Sequence, residues 1–306
     1  MSITKKKLED MDVMDDFLMG QLASDEEVGK DFCRRMLSSL LQKDIGKLKI
    51  TAQKVLPAFS PHLRGIRMDV EVEEYEPAKD EEEPTTMNIY DVEPHLQANL
   101  DLPRHNRFYQ ARIDSRGLKS GEKDFSRLPN LYVLTILNFD PFGEDFMMYT
   151  VRNRCLEVPE LEYRDGLYFY YFYTGGTKGG SSKLRTMLRY IQDSRKENAT
   201  DEATRELHNY VSRVKVQPEV KQAYMRYEEI IYYERKEAAE EAARAATKNT
   251  KVQDILELLE EYGEVPENVK MRLNEEVCDD KLKRWHKLAA KVDSIDAFVS
   301  QMEQNG

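Results

Sequence analysis

Hydrophobic residues recur at helical spacing over residues 12–43 of the chain. The apolar positions that carry this pattern are Phe17, Leu18, Leu22, Val28, Phe32, Met36, Leu37, Leu40 and Leu41. The pattern is broken near Ser24, and Ser24-Asp25-Glu26-Glu27 has the spacing of a capping box. The sequence therefore predicts two helices, the second of which begins at Ser24.

The periodicity changes to short runs of β-branched and aromatic residues from Ile50 to Asn138, which predicts strands. An acidic segment, residues 76–84, predicts a solvated hairpin loop between two of these strands. Residues 103–120 interrupt the strands with a helical pattern that has Pro103 in its first turn. Residues 131–137 follow as a fully apolar strand.

The pattern becomes helical again after Ser181. We expect a first domain at 1–235, a helical connector rich in Ala, Glu and Arg at 236–250, and a tail of three or four helices at 251–306. The helices predicted before the tail are Ser182–Gln192, Asp201–Val216 and Val220–Thr247.

Composition narrows the class of protein. Charged residues make up 34% of the 306 residues, the net charge is −11, and the overall field should not attract nucleic acid. The longest apolar runs fall far short of the roughly 20 residues of a membrane-spanning helix, and no signal peptide is evident. The 3 cysteines lie far apart without a Cys-x-x-Cys pair, so we expect reduced thiols in a cytoplasmic protein with no membrane contact.

Two acids lie on predicted strands that follow one another in the chain. Asp69 falls in an apolar run, and Glu93 and His95 share one face of the next strand because side chains alternate along a strand. Two carboxylates on adjacent strands are typical ligands of a hard divalent cation. The alternative, which spacing alone favours, is that both acids lie on the solvent face of ordinary strands.

The predicted helix after these strands is basic. Residues 104–123 contain six Lys or Arg and two acids, in a chain that is otherwise acidic. Arg104, Arg107 and Arg112 are candidates for contacts with backbone phosphate, because guanidinium groups match phosphate oxygens. The alternative is a solvated helix face that balances the acidic loop.

A set of longer stretches carries a family resemblance across nearly the whole chain. These stretches resemble the PD-(D/E)XK nuclease core and, more narrowly, the PD-(D/E)XK nuclease family transposases, a recombination-promoting nuclease group of bacteria. They are Asp15-Asp16-Phe17, Gly65-Ile66-Arg67-Met68-Asp69-Val70, Tyr90-Asp91-Val92-Glu93 with His95, Leu102-Pro103-Arg104-His105-Asn106-Arg107, Asn138-Phe139-Asp140-Pro141-Phe142-Gly143, Gly263-Glu264-Val265-Pro266 and Arg284-Trp285.

The resemblance implies an α/β (α+β) fold with a restriction-endonuclease-like αβββαβ core and a C-terminal helical extension. It further implies a bacterial cytoplasmic DNA endonuclease in which Asp69, Glu93 and the carbonyl of Pro94 bind Mg²⁺ or Mn²⁺. His95 would position the attacking water, and Asp16 would orient the site or cap a turn. Where such families carry Glu-Met-Gln, this chain has Glu93-Pro94-His95. The alternative is a nuclease-fold module that binds DNA or protein without cleaving it.

Other features receive structural interpretations. The glycine-rich segment 175–180 lacks the phosphate-loop pattern, and a turn ending in a serine cap is the favoured interpretation over nucleotide hydrolysis. The aromatic run Leu167–Tyr173 suits a packed strand better than base stacking. Trp285 is expected to anchor the helical tail, and the helices at 220–247 and 251–305 leave a homodimer open.

Overall fold

The computed structural model describes residues 6–56, 66–75, 86–96, 98, 101–118, 121 and 123–304. The strands are β1 (Lys47–Leu56), β2 (Ile66–Tyr75), β3 (Thr86–His95), β4 (Asn130–Leu137), β5 (Met148–Val151) and β6 (Leu167–Tyr173). The helices are α1 (Asp16–Ser24), α2 (Gly29–Leu41), α3 (Leu102–Asp114), α4 (Ser182–Gln192), α5 (Glu202–Val216), α6 (Pro218–Glu260), α7 (Glu267–Glu275), α8 (Asp279–Ala289) and α9 (Ile295–Gln304).

The strands form one open mixed sheet in the order β1-β2-β3-β4-β6-β5. Strand β2 pairs antiparallel with both β1 and β3. Strands β4 and β6 run parallel to β3, and β5 pairs antiparallel with β6 at the edge of the sheet. Helix α3 forms the connection between the parallel strands β3 and β4, as such a crossover requires. The fold class is therefore mixed α/β, and the chain order through β4 is α-α-β-β-β-α-β.

Alternation along β2 and β3 gives the sheet two different faces. Val70 and Val72 of β2 are fully buried on one face of the sheet. The acids that alternate with them along β2 lie on the opposite face. We call this opposite side the acid face, and its acids on β2 and β3 are Asp69, Glu71, Glu73, Asp91 and Glu93. Helix α3 covers the acid face, since Ile113 and Tyr109 pack with Ile89, Leu131 and Val133 in one apolar cluster.

The chain divides into two compact units, Met1–Met225 and Arg226–Gly306. The boundary lies inside α6, whereas the sequence led us to end the first domain at residue 235. In the second unit the end of α6 and helices α7, α8 and α9 enclose an apolar cluster. Trp285 is 2% exposed at its centre, which confirms its predicted role as the anchor of the tail.

Three helix boundaries differ from the sequence predictions. Ser24 ends α1 instead of capping α2, because Asp25 accepts the hydrogen bonds of the following turn, from the backbone N–H groups of Glu27 and Val28. Helix α3 ends at Asp114 and not near 120. Helix α6 runs without a break from Pro218 to Glu260, so the predicted stop at Thr247 is wrong.

Two sequence predictions on loops have different outcomes. The Ser181 hydroxyl accepts a hydrogen bond from the backbone N–H of Leu184, so the serine cap after the glycine-rich segment is confirmed. The predicted acidic hairpin loop at 76–84 lies outside the described residues. Within the described part of the chain, none of the helices combines the length and the hydropathy that a membrane span requires.

Candidate metal centre

Asp69, Asp91 and Glu93 meet on the acid face beneath α3. Asp91 is fully buried and Glu93 is 4% exposed, while Asp69 is half-buried. Burial raises the pKa of the Asp91 carboxyl well above its ordinary range, and the charges of Glu93 and Asp69 raise it further. Burial and then the charge of Asp69 likewise raise the pKa of Glu93. The structure therefore brings Asp69 and Glu93 together on one face, close enough for mutual repulsion.

Several polar atoms of this cluster lack hydrogen bonds. Both carboxylate oxygens of Asp91, Oε1 of Glu93 and Nε2 of His95 are buried and find no hydrogen-bond partner among the described residues. Leaving a buried polar group unsatisfied costs about 1–3 kcal/mol, and more for a charged group. Such clusters are uncommon unless the atoms serve a ligand, so these four atoms are candidates for cation binding.

His95 of β3 and His105 of α3 complete a compact group with Glu93. Nε2 of His95 lies 3.5 Å from Oε2 of Glu93, and Nε2 of His105 lies 3.9 Å from the same oxygen. One ligand atom from each of the three residues lies within 4.8 Å of the other two. Burial lowers the pKa of His95, against the opposing effect of Asp69, so its imidazole is neutral at neutral pH. A neutral imidazole is the form that ligates metals.

A chain of hydrogen bonds holds His105 in place. The side-chain oxygen of Asn106 lies 3.2 Å from Nδ1 of His105. The Asn106 amide nitrogen donates to Oγ1 of Thr135 on β4, at 2.9 Å, so the Asn106 oxygen is the end that faces the histidine. His105 Nδ1–H therefore donates to Asn106, and the lone pair of Nε2 is directed toward Glu93.

Pro94 lies between the two site residues of β3. It is buried, and the register places it opposite Ile136 of the parallel neighbour β4. The described pairing with the other neighbour, β2, begins at Val70 and Val92. A proline is compatible with the last residues of a strand, where fewer ladder bonds are needed. That its carbonyl is a metal ligand remains a prediction.

The three predicted phosphate-binding arginines are separated by the helix. Arg104 and Arg107 are exposed on the outer side of α3, and Arg104 pairs with Asp101 at 2.9 Å. Arg112 is 8% exposed because it lies on the side that faces the sheet. Its burial argues against the predicted contact with DNA.

Asp16, which the sequence predicted to orient the site or cap a turn, is exposed at the start of α1. It accepts a hydrogen bond from the backbone N–H of the adjacent Phe17, and its role in the site stays a prediction. Glu71 is fully buried on the acid face and pairs with Arg116, which follows α3. Arg116 therefore offsets the negative charge of Glu71 on the acid face.

Sequence reasoning gave Asp91 and His105 no role in the site. The signal for Asp91 was present, because period-two alternation places it on the same face as Glu93. His105 had no such signal, since a helix sequence does not show which strand end its first turn will cover. Comparisons with protein-family models, with curated proteins and with solved structures give no match.

Proposed function

We propose that the chain is a metal-dependent DNA endonuclease that hydrolyses phosphodiester bonds, related to the recombination-promoting transposase-like nucleases. One observation carries the proposal: Asp69 and Glu93, from neighbouring strands, meet with Asp91 on one face of the sheet. The chain order of α-helix, three antiparallel strands, α-helix and parallel strand also supports it, because the resemblance implies that order.

The residues fit a divalent cation, since several buried oxygen and nitrogen atoms of this face have no hydrogen-bond partner in the described part of the chain. A bound cation lowers the pKa of a water and offsets the charge that develops on the phosphoryl group. Asp69 and Glu93 would hold it, and Asp91, two residues before Glu93 on the same face of β3, would offer a further carboxyl group near the cation. The exposed guanidinium groups of Arg104 and Arg107 would bind the backbone of the nucleic acid.

The test is nicking of supercoiled plasmid DNA by the purified chain with Mg²⁺ or Mn²⁺. Asp69→Asn and Glu93→Gln should each lower the rate at least 100-fold, because each removes a charged cation ligand without changing side-chain volume. Glu144→Gln, an exposed acid outside the acid face, is the matched control and should cut like the parent. Equal nicking by all four proteins would show that a contaminant, and not this site, does the cleavage.

A second candidate is a nuclease-fold module that binds DNA or protein without catalysis. One observation favours it: α3 covers the acid face, so the side chains of Glu93 and His95 are only 5% and 16% exposed. A phosphodiester would need more access than this arrangement gives. The second candidate predicts DNA binding that is retained in Asp69→Asn, with no nicking by the parent in either cation.

A further inference from the structure

We propose that Glu93, His95 and His105 form a binding site for a divalent first-row transition metal of the zinc class, which they hold in preference to Mg²⁺. The proposal rests on the proposed function for the use of the ion, because both concern the same site. The binding itself can be measured whether or not the chain cleaves DNA.

The distances suit one small ion. Four ligands around Zn²⁺ at about 2.1 Å lie about 3.4 Å from one another in a tetrahedron. Oε2 of Glu93 lies 3.5 Å from His95 Nε2 and 3.9 Å from His105 Nε2. The ligand atoms of the two histidines lie within 4.8 Å of each other. Side-chain movements of up to about 1 Å would therefore place all three atoms on one ion. The two imidazole rings stand nearly perpendicular, with centroids 5.4 Å apart, so both nitrogen lone pairs can point to the same place.

The three ligands come from two elements, a strand and the helix that covers it, and each element sets the position of its ligands. Glu93 and His95 are two residues apart on β3, so strand alternation places both on the acid face. His105 comes from the first turn of α3, and the hydrogen bond from Asn106 to Thr135 ties that turn to β4. A ligand whose second ring nitrogen is held by a hydrogen bond is the usual arrangement for metal-bound histidine.

The ligand set decides the class of ion. Two imidazoles and one carboxylate suit zinc and its neighbours, and the same set occurs in catalytic zinc sites that keep a fourth position open for water. Mg²⁺ demands six oxygen ligands in near-octahedral geometry and gives up its waters reluctantly. Within the described residues, Glu93, His95 and His105 are the group of three such side chains close enough to share an ion.

The assignment changes the expected role of His95. Its Nε2 cannot ligate an ion and position the attacking water at the same time, so the water must be oriented by another group. Asp69 is the candidate, because it lies on the acid face of β2 next to Val70, whose partner on β3 is Val92, the neighbour of Glu93. On this proposal, the replacement of the usual Glu-Met-Gln by Glu93-Pro94-His95 changes the metal that the site prefers and does not abolish metal binding.

The first measurement is calorimetric titration of the chelator-treated full chain with Zn²⁺, Co²⁺ and Mg²⁺. We expect one Zn²⁺ per chain, bound at least 100-fold more tightly than Mg²⁺. Co²⁺ serves as the spectroscopic probe, because its visible absorption reports coordination number and nitrogen ligation. Cys278→Ser should be the common background, since an exposed thiol also binds zinc. Zn²⁺ binding no tighter than Mg²⁺ binding would overturn the proposal.

The second measurement uses His95→Gln and His105→Gln. Each should weaken Zn²⁺ binding at least 100-fold and abolish the Co²⁺ spectrum of the site, while thermal melting without metal stays within a few degrees of the parent. His286→Gln on α8 is the matched control and should leave both readouts unchanged. A Co²⁺ spectrum that survives in both variants, or that is lost in the control, contradicts the proposal. If either variant fails to fold, the other decides, because the two ligands lie on different elements.

The outcomes also separate this proposal from the proposed function. Tight Zn²⁺ binding without any plasmid nicking would support the metal site and refute the nuclease. Mg²⁺-dependent nicking by a chain that binds Zn²⁺ no more tightly than Mg²⁺, and that persists in His95→Gln and His105→Gln, would support the nuclease and refute the zinc-class site.

Discussion

Replacing Asp91 by Asn should stabilise the metal-free protein at neutral pH. Asp91 is fully buried, and neither of its oxygens accepts a hydrogen bond from a described residue. The nearest charges that act on it are the like charges of Glu93 and Asp69. Asn has nearly the same shape and cannot ionise, so the substitution removes the cost of this carboxyl with little change in packing.

The size and the sign follow from proton linkage. The folded pKa of Asp91 is raised above its ordinary value of 3.8, so the folded state holds a proton that the unfolded state releases. Stability is therefore full below that value and falls as pH rises toward the folded pKa. Each pH unit in this window costs about 1.4 kcal/mol, which sets a ceiling of about 4 kcal/mol at pH 7. We expect Asp91→Asn to gain stability at pH 7, up to this ceiling, and almost nothing near pH 4.

The assay must report on the unit that contains the sheet. The chain has 1 Trp, Trp285, which lies in the other unit, so tryptophan fluorescence follows only the C-terminal helices. Urea unfolding is read by the near-ultraviolet circular dichroism of the tyrosines, in chelator and at several pH values; most of the tyrosines lie in the unit that contains the sheet. The fluorescence transition serves as the internal control and should not move.

Glu74 gives a matched comparison of opposite sign. It is buried on β2 on the other face of the sheet, where it accepts hydrogen bonds from Tyr90, Asn88 and the backbone of Gly46. Burial raises the pKa of Glu74, but these hydrogen bonds outweigh burial and lower it below its ordinary value. The stability that the ionised carboxylate contributes is therefore lost as pH falls. Glu74→Gln should cost about 1–3 kcal/mol at pH 7. If Asp91→Asn destabilises the sheet as Glu74→Gln does, Asp91 has a partner and the reasoning fails.

Two further predictions concern the outer side of α3 and the helical unit. Arg104→Ala and Arg107→Ala should each weaken DNA binding and lower the slope of log K against log salt by about 1. The control Arg164→Ala, at another exposed ion pair, should change neither the affinity nor the slope. Unchanged slopes in the first two variants would exclude both arginines from the DNA contact. Trp285→Ala should lower the unfolding free energy of the C-terminal unit by about 3–5 kcal/mol, read as far-ultraviolet circular dichroism during urea unfolding, since it leaves a large cavity in that core; a loss below about 1 kcal/mol would contradict its role as anchor.

The sheet and the helix that covers it were accessible from sequence because their patterns are local. Alternation along β2 and β3 and the apolar run of β4 were enough to predict the strands. Helix α6 shows a signal that was misjudged: no Gly or Pro occurs between Pro218 and Gly263, and the Ala/Glu/Arg-rich stretch has high helix propensity. Because nothing in this stretch interrupts a helix, one continuous helix was a simpler prediction than a helix, a connector and a second helix.

The site was only half accessible from sequence, for a physical reason. Asp69, Glu93 and His95 could be placed on neighbouring strands by periodicity alone. Which side of α3 meets the sheet depends on packing between distant residues, so the sequence favoured the exposed arginines and assigned no role to His105. The same dependence explains Arg112, which was predicted at the DNA surface and is buried against the sheet.

The cost of the acid face is itself an argument for a cation. A sheet face that packs under a helix is most stable when it is apolar, yet here five acids share it and Arg116 offsets Glu71. A ligand that binds only the folded state adds stability of about 2.7 kcal/mol at a concentration of 100 times its Kd. That gain lies within the ceiling that proton linkage sets for the cost of Asp91. The metal-free sheet should thus be the less stable form, and the cation and the fold of the first unit should be coupled.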